Sequence, residues 1–156
     1  MRMNRALPSP RSQRGVYAIE FAIVFMIFFT ILYAVICYGM LFAFRLGLQN
    51  AAEDGARAAL QYQSTLDARA ARATTVATVR SGWMPQVIRP VVSTQICLVE
   101  GTNPCSSTNC GPLWSQRCRV DVIVQANNLS SLLPPLPSFA IPQQITGKAS
   151  MLLDLR

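Results

Sequence analysis

Histidine is absent from the 156 residues. That gap removes the Ser-His-Asp and Cys-His pairs of nucleophilic catalysis. Acids are scarce too, seven Asp and Glu against fourteen Lys and Arg. Glu53 and Asp54 are adjacent and point to different sides of a helix. Glu100, Asp121 and Asp154 fall in or at the ends of expected strands, where a solvated face explains them. No glycine-rich loop has Walker or dinucleotide spacing. These absences predict neither an enzyme nor a cofactor nor a small-molecule substrate. CxxC pairs are missing as well. Cys97, Cys105, Cys110 and Cys118 are separated by seven, four and seven residues, which argues against a zinc site, and no metal is expected.

Charge is missing where it matters most. Between Arg14 and Arg45 lie 30 residues whose only charged member is Glu20. As a helix, Val16 to Phe44 would run about 43 Å, more than the ~30 Å hydrocarbon core of a bilayer. A removable secretory signal has an apolar region of only about 7 to 15 residues, so a retained transmembrane helix is expected over residues 16–44. Residues 1–15 carry Arg2, Arg5, Arg11 and Arg14 and no acid. The positive-inside rule then holds this basic leader in the cytoplasm and exports everything after Arg45. The expected location is the inner membrane, crossed once, with a periplasmic C-terminal part. Four basic residues of the net +7 belong to the leader, so the charge is chiefly a topology signal and does not point to nucleic acid.

About 110 residues remain outside the membrane, enough for one small domain. Residues 45–82 read as an extracytoplasmic helical region and 83–156 as a small disulfide-containing β domain. From Arg45 the chain is rich in alanine and leucine, with no proline before Pro85, so the helix should continue into solvent. Arg45, Gln49, Glu53 and Arg57 form a polar stripe, with Glu53 placed to pair with Arg57. Gly39, Ala43, Gly47, Ala51, Gly55 and Ala59 recur at the same spacing and form a small-residue groove that lets another helix approach. The groove spirals by about 40° per step and is not one flat face.

At the junction of leader and span stands Gly15, followed by Val16 and, five residues on, Glu20 and Phe21. Glycine leaves the backbone open to a protease. A carboxylate inside the bilayer costs about 2.5 to 3.5 kcal/mol and needs a partner, whereas one near the headgroups costs little. The combination of GVYAIEF, a long apolar span and LQNAAEDGARAA resembles the TadE-like proteins, pseudopilins of the tight-adherence pilus machinery. Its members pair a G-x-x-x-x-E-F/Y start with a QNAA-x-x-GARAA-like helix. The resemblance is tight over Arg14 to Leu60 and loose afterwards. It implies that Gly15 precedes a bond cut by a prepilin peptidase, that Val16 becomes the first mature residue, and that Glu20 is its fifth. Glu20 would then meet the new amino group of a neighbouring subunit. The implied partners are the peptidase, other pilin-like subunits, the pilus assembly platform and inner-membrane lipid. Where family members often have a proline, this chain has Met26.

Beyond Leu60, Ser64 with Asp67 resembles a capping box, and Leu66, Ala70, Ala73 and Ala77 mark one face of a second helix ended by Gly82 and Pro85. Val91 to Val99, Cys118 to Gln125 and Thr146 to Leu155 alternate as half-buried strands. Pairing the first two antiparallel brings Cys97 and Cys118 to one end of the ladder, so Cys97–Cys118 and Cys105–Cys110 disulfides are expected; four cysteines allow three connectivities. Asn128 to Gln144, with four prolines among apolar residues, reads as an ordered cover over the sheet. Trp83, Trp114 and Cys37 read as packing residues. The predicted fold is α+β and pilin-like: a long N-terminal transmembrane helix, a second helix and a three-stranded antiparallel sheet. The expected function is that of a minor pilin or pseudopilin. The alternative is an uncleaved single-span envelope protein with an exported binding domain.

Overall fold

The computed structural model describes residues 14–88, 90–100, 105, 110–131 and 141–153. They fall into two units, one ending at Gly39 and the other starting at Met40. Helix α1, Arg14–Ala58, contributes to both.

In the first unit, Val16, Ile19, Phe21, Phe25 and Phe28 are all more than half exposed, as are most of their neighbours. A helix apolar on every side has no face suited to water. It is long and apolar enough to cross a membrane. Helix α1 runs unbroken through Met26, whose carbonyl accepts both the helix and the Thr30 hydroxyl, at 2.8 Å. That hydroxyl is thereby satisfied within its own helix.

The second unit is an α+β domain. Helix α1 stops at Ala58, where the amides of Leu60 and Gln61 fold back onto the carbonyls of Arg57 and Ala58. Helix α2, Leu66–Ser81, restarts the chain. Its cap is Thr65, whose Oγ1 accepts from the Ala68 amide at 3.1 Å. The Ser64 expected to cap stands one position too early. Strands β1 (Val91–Leu98), β2 (Cys118–Asn127) and β3 (Gln144–Leu153) form an antiparallel sheet in chain order. Between β2 and β3, Asn128 takes φ 62°, a left-handed conformation that asparagine tolerates better than most residues.

Alternation decides which face of the sheet is buried. Cys118, Val120, Val122, Val124 and Ala126 of β2 are fully buried, and opposite them on β3 stand Leu153, Met151, Ala149, Gly147 and Ile145. The helices supply small residues to this face. A Cβ added at Gly55 would lie 2.9 Å from the Ala73 carbonyl oxygen and the Ala77 Cβ, and 3.3 Å from Val122. At Gly147 it would fall within the backbone of Leu48 and Gln49. Helix α1 thus rests directly on β3, and α2 directly on α1, because none of these positions carries a large side chain.

The disulfides join Cys97 to Cys105 and Cys110 to Cys118, which corrects the expected Cys97–Cys118 and Cys105–Cys110 pairing. The strands do pair antiparallel, but Cys118 faces Leu98 and Cys97 faces Arg119. Residues one step apart in register point to opposite faces, so the sheet itself separates Cys97 from Cys118. Each bridge instead ties one strand end to the β1–β2 connection. Cys37 is buried and free, as expected. Trp83 and Trp114 do pack, Trp83 on Phe44 and Trp114 under the Arg117 guanidinium, but at the surface: both are more than half exposed. The proposed cover over the sheet falls mainly on residues 132–140, outside the described residues, as do the leader 1–13 and the end of the third expected strand. Its described flanks include buried Leu129 and Ile141, which packs on the core.

Candidate functional site

The junction Gly15–Val16 lies in the first turn of α1, which begins at Arg14. Gly15 is exposed, and an added Cβ would meet nothing within 4 Å. Glycine there is therefore not required by packing. Glu20 and Phe21 are also exposed. Five helical steps lead from Gly15 to Glu20, a turn of about 140°, so the two do not share a face.

An aromatic ladder starts at Phe21. Its ring lies 5.9 Å from that of Phe25, which lies 5.5 Å from Phe29. With Tyr33 these rings line an open apolar groove that also includes Ala22, Met26 and Thr30. The signal was in the sequence, four aromatics at four-residue spacing, but an apolar run hides its own internal periodicity.

The small-residue groove divides in two. Gly47 is covered by the Trp83 indole, Gly55 by α2 and Val122, and Ala51 and Ala59 are buried. These four pack within the chain, and the helix that approaches at Gly55 is the chain's own α2. Gly39 and Ala43 are exposed, and nothing stands within 4 Å of a Cβ built at Gly39.

Gln49 is the functional-looking residue whose role the sequence concealed. Its Oε1 accepts from the Lys148 amide at 3.1 Å, and its Nε2 donates to the Lys148 carbonyl at 3.0 Å. Lys148 lies on β3, an edge strand. The carboxamide thus makes the two hydrogen bonds that a neighbouring strand would make. Its Nε2 also donates to Glu53 Oε1 at 3.0 Å, so the expected Glu53–Arg57 pair gives way to Gln49–Glu53. An ion pair joins Arg80 Nε to Asp54 Oδ2 at 3.1 Å and ties α2 to α1. The partner of Gln49 is 99 residues away, a distance no local pattern encodes.

On the outer sheet face Asp121 is buried and accepts from the Ser150 hydroxyl directly across the ladder. Arg119 Nε lies 3.3 Å from Asp121 Oδ2, in ion-pair range though not aligned as a hydrogen bond. Asp121 also stands close to Cys97 and Cys105, a cluster of metal-binding residue types. Both thiols are consumed by their disulfide, which leaves the carboxylate as the single ligand.

The described residues therefore offer an exposed Gly15–Val16 pair, an exposed apolar helix and, separately, a domain in which Gln49 of α1 is bonded to the edge of the sheet. No curated protein and no solved structure matches the chain. Residues 15–57 match the family model for TadE-like protein, so the helix that carries Gly15, Glu20 and Gln49 is the part of the chain that is similar to that family.

Proposed function

We propose that the chain is a minor pilin or pseudopilin of a tight-adherence pilus assembly system. A prepilin peptidase cuts between Gly15 and Val16 at the cytoplasmic face of the inner membrane. The freed helix then packs with other pilin-like subunits on the assembly platform, while the disulfide domain stands in the periplasm. The observation that carries this reading is the family match, which begins at Gly15 and ends at Arg57. It takes in both the junction and the helix that seats the domain. Glu20 is the assembly residue in this scheme, its carboxylate meeting the new amino group of a neighbour at the membrane boundary. The Phe21–Tyr33 ladder and the exposed positions Gly39 and Ala43 supply the helix contacts.

The test is the intact mass of the full-length protein purified from membranes, with the peptidase present and absent. Loss of the first 15 residues only when the peptidase is present, abolished by Gly15→Leu, is the expected result. Full-length protein under both conditions would overturn the processing step and favour an uncleaved anchor with an exported binding domain.

A further inference from the structure

Trp83 holds an unusual position. Its indole stacks on Phe44, with ring centroids 5.7 Å apart, and lies over Gly47, yet 55% of it is exposed. The short connection after α2 fixes this pose: Met84 and Ile88 are buried in the core, while Trp83 and Val87 face outward. Among the described residues no group accepts a hydrogen bond from the Trp83 indole. Leu46, alongside, is also half exposed. A groove beside these rings runs from apolar Ala43, Leu46 and Trp83 at one end to Asn50, Asp54 and Arg80 at the other.

Lengths place this patch. From Glu20 to Arg45 α1 carries no charge, and those 25 steps rise about 37 Å. The hydrocarbon core takes ~30 Å of that. With both charges outside the core, Arg45 stands within a few ångströms of its outer boundary. Phe44 and Gly47, which Trp83 touches, are then inside the headgroup layer, roughly 5 to 8 Å thick. The Asp54–Arg80 pair, ten residues and about 15 Å further along, is in water. The polarity of the groove follows the same order.

We propose that Trp83, with Leu46 and Val87, forms a lipid-facing anchor that seats the exported domain in the headgroup layer of the outer leaflet. The apolar ring body suits the acyl boundary and the free N–H suits headgroup oxygens, the physics that enriches Trp at membrane interfaces. Exposed Arg45 supplies a cation beside the lipid phosphates. The occupant is lipid because the patch borders Ala43 and Phe44, the last residues of the uncharged stretch of α1. The inference rests on α1 spanning the bilayer and is independent of peptidase cleavage.

The experiment is fluorescence of full-length protein reconstituted in phosphatidylcholine–phosphatidylglycerol vesicles, with bromines placed at different depths along the acyl chain. Trp114→Phe leaves Trp83 as the reporter, and Trp83→Phe leaves Trp114. A third variant combines both changes with Phe29→Trp to report the span. The expected result is a blue-shifted Trp83 emission, lost most strongly with bromines near the carbonyl end. Trp114 keeps its emission, and the residue at position 29 is quenched by deep bromines. If Trp83 is quenched by aqueous iodide as strongly as Trp114 and not by lipid bromines, the anchor is overturned while the span stands. If position 29 also escapes lipid quenching, the span reading fails and the anchor with it.

Discussion

Gln49 shows how one side chain can do the work of a strand. Gln49→Ala leaves the Lys148 amide and carbonyl to water at the sheet edge, and it is expected to lower stability by about 1 kcal/mol. Gln49→Glu removes the donor that serves the Lys148 carbonyl and Glu53, and should cost more. Thermal unfolding of the full chain in detergent, followed by near-ultraviolet circular dichroism, checks both. Glycines separate in the same way. Gly147→Val drives a side chain into the α1 backbone and should destabilise by at least about 1 to 3 kcal/mol. Gly39→Ala, with open space around it, should leave the melting curve unchanged. At Asn128, where φ is positive, a β-branched valine should cost about 1 to 2 kcal/mol, while glycine is tolerated.

Among the elements, the connection between β1 and β2 depends most on covalent restraint. Val99 N–H to the Arg117 carbonyl, at 2.9 Å, continues the ladder by one rung. Trp114 donates to Glu100 at 2.7 Å and lies under the Arg117 guanidinium. Non-reducing peptide mapping should recover Cys97 with Cys105 and Cys110 with Cys118. Each bridge closes a span of eight residues, and replacing either pair by serine should lower stability by about 2.5 kcal/mol in the chain-entropy model. The second strand was legible because Val120, Val122 and Val124 alternate with Arg119, Asp121 and Gln125, Ile123 apart, and the first because of its β-branched content. The disulfide partners were not legible, because one step of register decides the face and no residue in either strand reports it. The α1–α2 break was visible in the loss of apolar spacing after Leu60. Its capping residue was misplaced by one, since Ser64 and Thr65 offer the same chemistry.

For the whole molecule, the useful distinction is between α1 surface used internally and α1 surface left free. The four-residue recurrence from Gly39 to Ala59 reads as one groove in the sequence, yet its distal part is filled by Trp83, α2 and Val122. Long-range packing chose between the two halves, and periodicity carries no trace of that choice. Ala51→Leu should therefore unfold the domain. Ala43→Leu should leave its melting temperature intact while reducing co-purification with pilin-like partners, if the proposed assembly is right. The proposed junction at Gly15 differs in kind: no tertiary contact bears on it, since an added Cβ there meets nothing within 4 Å, and it rests on local sequence alone.

The Gln49–Lys148 contact also bears on the order in which the molecule is made. Helix α1 leaves the ribosome early, whereas the strand that completes its seat follows 99 residues later. Contacts so distant along the chain form late and slow the search for the native state. Until β3 arrives, the stretch of α1 at Leu48 and Gln49 lacks the strand whose Gly147 and Lys148 meet it. Synthesis through Lys148 must therefore precede closure of the domain, and until then this stretch of α1 is a surface that the finished fold hides.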